Sequence, residues 1–179
     1  MALYTRRGDE GQSDRGSHRV RKCDPFFEAL GTLDELSAHL GDCVRTVSQN
    51  ADAAAAREAL APLQAELRTL AALVAHDGDA TARAAADGAE ALAEAVRRME
   101  ARIDADEQRL GELSDFVLPG GAEAACRLHL ARTVCRRAER RLVAAAAAGV
   151  NVPSEALRYV NRLGDLLFSL ARSANDNAG

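Results

Sequence analysis

Apolar residues recur at every third or fourth position along most of this chain, which is the spacing of an amphipathic helix. The first such pattern begins at Pro25 and includes Leu33, Leu36, Leu40, Val44 and Val47. Further patterns cover about 53–74, 88–107 and 153–174, and another follows a Pro-Gly-Gly sequence. Pro62 is expected either to kink the second helix or to mark its start. The chain therefore predicts an all-α fold, a five-helix up-and-down bundle.

The first 24 residues do not show this pattern and contain three glycines. A polar segment of this length predicts a functional loop, with a flexible N-terminal arm as the alternative. The chain, 1–179, is expected to form a single domain, with this loop at 1–24 and the bundle at 25–175. The Ala-, Asp- and Gly-rich segment 76–88 is expected to be a mobile connection, and the alanine run before Gly149 a helix end.

One helical pattern is rich in arginine. The segment 127–141 contains six arginines and a single glutamate, a local charge of about +5 in a chain whose formal net charge is −4. One guanidinium group can bind two phosphate oxygens at once. This concentration of arginines therefore predicts a site for an anion such as a polyphosphate. The alternative is a solvated arginine face on which the glutamate pairs locally.

Helical geometry indicates where these side chains point. At 100° per residue the helix has one apolar stripe, which is expected to face the core and consists of Ala131, Cys135, Ala138 and Leu142. Arg132, Arg136 and Glu139 border that stripe, whereas Arg137 and Arg141 lie on another side. Charges at the border of packed surface are expected to pair with each other, with a neighbouring helix or with a ligand.

Composition narrows the possible classes. Hydrophobic residues make up 47% of the chain and aromatic residues only 3%, which favours close-packed helices over sheet. The four cysteines form no C-x-x-C pair, which indicates reduced thiols in a cytoplasmic protein. The sequence has no repeated Glu-x-x-His motif, and His39 with Cys43 is interpreted as a packed or solvated pair, so no protein-bound metal site is predicted. No apolar run approaches the ~20 residues that cross a bilayer, so a soluble protein is expected.

The N-terminal segment YTRRGDEGQSDRGS could approach phosphate groups closely, because glycine leaves the backbone accessible. Thr5 and Ser13 add hydroxyl donors, and Arg6, Arg7 and Lys22 add positive charge. The spacing matches neither the Walker A pattern nor the dinucleotide-binding glycine pattern. Taken alone, the segment is a weak indication of nucleotide binding.

Together these segments resemble the PduO-type ATP:cob(I)alamin adenosyltransferases. The matching pieces are YTRRGDEGQS, RVRKCDP, ALGTLDELSAHLG, FVLPGG, LHLARTVCRRAERRL and LRYVNRLGDLLFSLARSAN. They lie within about 3–41 and 115–175, in the order and spacing typical of the family.

The resemblance implies a homotrimer with active sites between adjacent subunits. The residues expected to contact ATP are Thr5, Arg6, Arg7, Gly8, Ser13, Asp14, Lys22, Arg136, Arg137, Ala138, Glu139, Arg140 and Asn161. Asp34 matches a carboxylate that forms a salt bridge across the interface to Arg132. Phe116 matches the aromatic residue that packs under the corrin and displaces the lower axial ligand of cob(II)alamin.

The activity that the resemblance implies is transfer of the 5′-deoxyadenosyl group of ATP to cob(I)alamin, with Mg²⁺ on the phosphates and release of triphosphate. A flavoprotein reductase and a cobalamin-dependent acceptor enzyme are the expected partners. The alternative is a delivery or regulatory protein of the same fold that binds ATP and cobalamin with weak or lost turnover. An arginine-rich RNA binder is a third hypothesis, which the negative net charge and scarce aromatics disfavour. Neither nucleic acid nor a membrane is an expected partner.

The chain departs from the family pattern in its N-terminal loop. SDRGS places Asp14 at the second ATP-contact position, where an anion would repel phosphate unless a cation lies between or the carboxylate turns to the ribose. Arg6 replaces the usual lysine of the TKxGD sequence, which keeps the charge and alters its geometry.

Overall fold

The computed structural model describes residues 4–49, 53–76, 82–113 and 115–176. Within these ranges the chain forms two short strands and six helical segments. The elements are β1 (Gln12–Arg15), β2 (His18–Arg21), α1 (Pro25–Val47), α2 (Ala54–Leu60), α3 (Leu63–Ala75), α4 (Ala82–Leu110), α5 (Glu123–Ala147) and α6 (Ser154–Asp176). Because α2 and α3 together occupy the predicted second helix, the all-α five-helix prediction is confirmed.

The helices surround one core. α5 packs against α1 and α6, α6 packs against α4, and α3 lies against both α4 and α1, so the neighbours close into a ring. Leucines at helical spacing supply most of the core, and Tyr159 is its largest fully buried side chain. α5 therefore has packed neighbours on two sides and exposes the remainder of its surface. No helix in the described ranges is both long and apolar enough to cross a membrane.

Helix boundaries follow from capping chemistry and proline. The Asp24 carboxylate accepts a hydrogen bond from the Phe26 backbone N–H at 2.9 Å, and Pro25 fits the first turn because its missing donor is not needed there. Pro62 separates α2 from α3, since proline interrupts the backbone hydrogen bonding of a helix. Gly149, with φ of 87°, terminates α5 beyond the alanine run, as the sequence predicts.

Two segments differ from the sequence predictions. The expected N-terminal loop contains an antiparallel hairpin of β1 and β2, in which Ser13 pairs with Val20 and Asp14 with Arg19. α4 begins at Ala82, so much of the segment expected to be a mobile connection is helical, whereas 77–81 lie outside the described residues. Alanine explains the second difference, because its helix propensity extends α4 where amphipathic spacing is weak.

One buried carboxylate joins α4 to α6. Asp106 is only 3% exposed, and its Oδ2 accepts hydrogen bonds from Arg102 Nε at 3.0 Å and from Ser169 Oγ at 2.8 Å. A buried charge is tolerated when such partners satisfy it. Asp106 therefore fixes α6 relative to α4.

We expect Asp106→Ala to lower the free energy of unfolding by about 2–4 kcal/mol, because Arg102 would keep its charge without a counter-ion. Ser169→Ala should cost only about 1 kcal/mol, since Arg102 still satisfies the carboxylate. Urea denaturation of both variants measures the difference. Equal losses in the two variants would contradict this role of the Asp106 charge.

His129 is a buried polar residue of α5 that faces α6. It is 3% exposed, its ring centroid lies 6.1 Å from that of Phe168, and neither ring nitrogen has a hydrogen-bond partner among the described residues. Burial, and then the positive charge of Arg132, lower the pKa of His129 from its ordinary value. The folded protein therefore favours the neutral imidazole.

We expect His129→Gln to weaken the pH dependence of stability under mildly acidic conditions. Because the folded pKa of His129 lies below its ordinary value of 6.5, the unfolded chain takes up this proton first as the pH falls. The stability associated with neutral His129 is fully present above pH 6.5 and declines as the pH falls towards the folded pKa. Urea denaturation of the wild type and the variant between about pH 5 and 8 measures this pH dependence. Parallel curves for the two proteins would rule out the contribution.

Candidate functional site

The predicted apolar stripe of α5 faces the core. Ala131, Cys135, Ala138 and Leu142 are all completely buried, which confirms the helical-wheel prediction. The Cys135 thiol donates a hydrogen bond to the Val160 carbonyl at 3.2 Å, and burial raises the pKa of this thiol to about 12. Cys135 is therefore a protonated packing residue, and its position fixes the rotation of α5 about its axis.

Carboxylates of α1 pair with the arginines on one side of α5. Glu28, Glu35 and Asp42 are spaced seven residues apart and lie on one face of α1. Three ion pairs, which we call the carboxylate ladder, join them to α5: Asp42–Arg127 at 3.1 Å, Glu35–Arg137 at 2.5 Å and Glu28–Arg141 at 3.6 Å. Half of the six arginines are therefore bound to carboxylates of α1.

Another side of α5 brings three of the predicted ATP contacts together. Arg136 Nη1 lies 2.8 Å from Glu139 Oε2, and Asn161 Nδ2 of α6 donates to Glu139 Oε1 at 3.0 Å. Gly164 makes room for this group, because a Cβ there would lie 3.3 Å from Arg136 Cδ. Glu139 thus orients a cation and an amide donor at one edge of the α5–α6 interface.

The other residues of the 136–140 stretch do not all face the same surface. Arg140 is exposed and donates to the Arg136 backbone carbonyl at 3.0 Å, so it lies along the same side of α5. Ala138 is fully buried in the core, and Arg137 pairs with Glu35. The structure therefore places Arg136, Glu139 and Arg140 towards one surface, and Ala138 and Arg137 elsewhere.

Arg132 lies one turn before Arg136, and the described residues satisfy only part of its guanidinium group. Its guanidinium carbon is 5.9 Å from the centroid of the Phe168 ring, and its buried Nε has no hydrogen-bond partner among the described residues. Asp34 is exposed on α1, and no ion pair joins it to Arg132 within the described part of this chain. A buried guanidinium nitrogen of this kind has a donor left over for an acceptor that the described residues do not supply.

The N-terminal loop folds against the end of β2. Thr5 Oγ1 accepts from the Arg7 backbone N–H at 3.5 Å, and the Lys22 backbone N–H donates to the Gly11 carbonyl at 2.9 Å. Gly8 is closely approached by Lys22, whose Nζ would lie 3.0 Å from a Cβ at that position. The structure thus brings Thr5, Gly8 and Lys22 into one loop. Arg6 has a φ of 60°, which is uncommon for a residue with a side chain.

Asp14 is paired with two cations. Its Oδ1 lies 3.3 Å from Arg7 Nη2 and 3.4 Å from Arg19 Nη1. Ser13, the neighbouring predicted contact, is half-buried in β1. The hairpin is held against α1 where the Arg15 guanidinium carbon lies 4.7 Å from the centroid of the Phe26 ring. Two cations therefore lie beside this carboxylate, on the loop that is expected to contact ATP.

The segment between α4 and α5 presents a bare aromatic side chain. Phe116 is 100% exposed and Leu118 is 87% exposed. Asn175 of α6 fixes the end of this segment, donating to the Gly120 carbonyl at 3.0 Å and accepting from the Ala122 N–H at 2.9 Å. Gly121 has a φ of 96°, and a Cβ there would overlap Asn175 Oδ1, so only glycine fits.

Sequence reasoning did not assign roles to Arg19 and Asn175. Arg19 could have been found from cross-strand pairing with Asp14, but only if the hairpin and its register had been predicted. Asn175 lies over fifty residues from the backbone groups that it binds, and no local spacing indicates that contact.

The chain is similar in sequence to one family of known proteins. The sequence model of the family described as cobalamin adenosyltransferase matches residues 3–174. The corrinoid adenosyltransferase PduO of Salmonella typhimurium is 41% identical over 179 residues, covering 99% of this chain and 51% of that protein. The corrinoid adenosyltransferase of Bacillus subtilis is 37% identical, covering 100% of this chain and 89% of that protein. This chain thus spans about half the length of the PduO relatives.

Solved structures show the same fold. A variant PduO-type ATP:corrinoid adenosyltransferase from Lactobacillus reuteri, complexed with cobalamin and ATP, superimposes with a TM-score of 0.83 at 28% identity. The match covers 98% of this chain and 94% of the other. Since the family match extends over nearly the whole sequence and the helical arrangement is shared, the chain belongs to the cobalamin adenosyltransferase family.

Proposed function

We propose that this protein transfers the 5′-deoxyadenosyl group of ATP to cob(I)alamin, forming adenosylcobalamin and releasing triphosphate. The observation that carries the proposal is that carboxylates of α1 pair with only some of the arginines on α5. Arg127, Arg137 and Arg141 are paired with the carboxylate ladder, whereas Arg132 keeps a buried nitrogen without a partner in the described residues, beside Arg136. A cationic edge of this kind suits a polyphosphate.

The chemistry of the proposed reaction explains why cations outnumber acid–base groups at this edge. Cobalt(I) supplies an electron pair to the 5′ carbon of ATP, the Co–C bond forms, and the C–O bond to the triphosphate breaks. Because cobalt(I) is itself the nucleophile, the protein needs no base to activate it. Its tasks are to align the 5′ carbon, exclude water and stabilise the departing charge.

ATP is proposed to span the N-terminal loop and the edge of α5. The loop contacts would come from Thr5, Arg6, Arg7, Gly8, Ser13, Asp14 and Lys22, and the helical contacts from Arg136, Glu139, Arg140 and Asn161. Two observations support this assignment: Lys22 lies against Gly8, where a backbone can approach phosphate closely, and Glu139 orients Arg136 and Asn161. Three similar Lactobacillus reuteri structures contain ATP, two of them together with cobalamin.

Phe116 is proposed to pack under the corrin ring and to displace the lower axial ligand. Its complete exposure beside exposed Leu118 supports this role, because adjacent large apolar side chains left in water commonly mark a binding surface. Asn175 fixes the segment at its far end, which limits how far Phe116 can move.

Mg²⁺ is proposed to bind through the triphosphate. Among the described residues no group of three or more His, Cys, Asp or Glu side chains forms a cage for an ion. Mg²⁺ does not need such a cage, because it commonly takes its ligands from substrate phosphates, water and one or two carboxylates. When bound, the ion would neutralise charge on the leaving triphosphate.

The active unit is proposed to be a homotrimer with Asp34 of one subunit bound to Arg132 of its neighbour. The exposed position of Asp34 and the unpartnered Nε of Arg132 support this pairing. A flavoprotein reductase would supply electrons, and a cobalamin-dependent enzyme would accept the product.

A second candidate function is ATP and cobalamin binding with weak or lost turnover. The observation that favours it is Asp14, whose carboxylate engages Arg7 and Arg19 on the loop that would otherwise offer both cations to phosphate. Such a protein would bind both ligands and form no product.

The activity is tested with ATP, Mg²⁺ and chemically reduced cobalamin, followed by the absorbance change that accompanies adenosylation. We expect turnover in the wild type, and Arg136→Ala should lower kcat/KM by about 10- to 100-fold, because a charge-assisted bond to phosphate is lost. Arg141→Ala is the matched control on the same helix, paired with Glu28, and should stay within about twofold.

Tight ATP binding by the wild type without any product would favour the binding-protein alternative. No ATP binding and no product would refute the proposed transfer altogether. Equal losses in Arg136→Ala and Arg141→Ala would show that α5 contributes general charge and no specific contact.

Subunit pairing is tested by a double-mutant cycle. We expect Asp34→Ala and Arg132→Ala each to lower the trimer fraction in analytical ultracentrifugation and to reduce turnover, because each leaves an interfacial charge without its partner. The double variant should lose little more than either single variant. Additive losses, or wild-type assembly in both single variants, would contradict the pairing.

A further inference from the structure

Arg19 lies on β2 directly opposite Asp14 on β1, and its guanidinium reaches three acceptors. Nη2 donates to the Arg7 backbone carbonyl at 2.5 Å, Nη1 lies 3.4 Å from Asp14 Oδ1, and Nε lies 3.5 Å from Gln12 Oε1. The bond to the Arg7 carbonyl is the shortest of the three. Arg19 thus joins the hairpin to the backbone of the preceding loop.

The same cluster also orients the Arg7 side chain. Arg7 Nη2 lies 3.3 Å from the Asp14 oxygen that also faces Arg19, so the carboxylate lies between two guanidinium groups. The backbone of Arg7 and its side chain are therefore both tied to the hairpin. The next residue, Gly8, is in turn closely approached by the Lys22 side chain.

This arrangement matters because the loop is otherwise weakly held. Thr5, Arg6 and Arg7 are exposed, and few buried apolar contacts restrain them. Fixing a backbone residue costs conformational entropy, and a ligand that orders a loop bears that cost in its affinity. A loop already held in one conformation binds the same ligand more tightly.

Guanidinium is the group suited to this task. Its rigid plane carries donors in several directions, so one side chain can bind a carbonyl, a carboxylate and an amide oxygen at once. A lysine ammonium in the same place is a compact point charge on a flexible stem and cannot span the three acceptors.

We propose that Arg19 is a positioning residue that holds the Thr5–Gly8 stretch in its nucleotide-binding conformation, through the Arg7 carbonyl and Asp14. The proposal deepens the proposed function and rests on it for the identity of the ligand. Asp14 takes part in the same contacts. Its negative charge is offset by two arginines, so it orders the loop without repelling the phosphates.

The test compares Arg19→Ala, Arg19→Lys and the control Arg21→Ala, an exposed arginine on the same strand. In the adenosylation assay we expect both Arg19 variants to raise KM for ATP about tenfold, with kcat at saturating ATP within about twofold of the wild type. The Arg21 variant should match the wild type. Arg19→Lys restoring KM, or kcat falling as much as kcat/KM, would indicate direct phosphate contact and overturn the proposal.

Hydrogen exchange without nucleotide gives a second readout. The Asp9 and Gly11 amides donate to loop carbonyls at 3.3 and 3.2 Å, so they report whether the loop is ordered. We expect Arg19→Ala to accelerate exchange in 5–11 at least about fivefold and to leave α5 unchanged. Equal exchange in the variant and the wild type would refute the positioning role. If the wild type binds no ATP, the proposed function fails, and this comparison still decides the ordering role of Arg19.

Discussion

Burial of the apolar stripe on α5 is the interaction on which the rest of this structure depends. Alanine and cysteine supply most of the stripe, and their small side chains allow close contact with α1 and α6. The stripe also fixes the rotation of α5, since turning the helix by one residue would move a guanidinium group into the core at a cost of several kcal/mol. Packing therefore decides which arginines face the carboxylates of α1 and which face α6.

The fixed rotation separates two uses of the same residue type. Arginines facing α1 contribute to a fold whose net charge is negative, and each pair on this exposed surface is worth about 0–1 kcal/mol. Arginines towards α6 lie beside Glu139, Asn161 and Phe168, where Arg132 is half-buried and Arg136 stays exposed. The helix can thus be both a structural partner of α1 and one wall of an anion site, with little competition between the roles.

The sequence was sufficient for the features that depend on local spacing. The start of α1 follows from Asp24 and Pro25, and the α5 stripe follows from helical periodicity. The hairpin was missed because its four-residue strands are polar and exposed, so they have no apolar alternation. The carboxylate ladder was missed because it requires the relative position of two helices distant in sequence. The role of Asp34, which the family resemblance places at a contact with a second subunit, stays a prediction for the same reason.

The four cysteines occupy very different surroundings. Burial raises the pKa of both Cys43 and Cys135 to about 12, so these thiols stay protonated at neutral pH. Cys23 is exposed and immediately follows Lys22 at the end of the hairpin. A thiol-directed spin label or fluorophore would therefore react at Cys23 in preference to the two core positions. The chain already carries an attachment point beside its N-terminal loop, so movements of that loop can be followed spectroscopically without introducing a new cysteine.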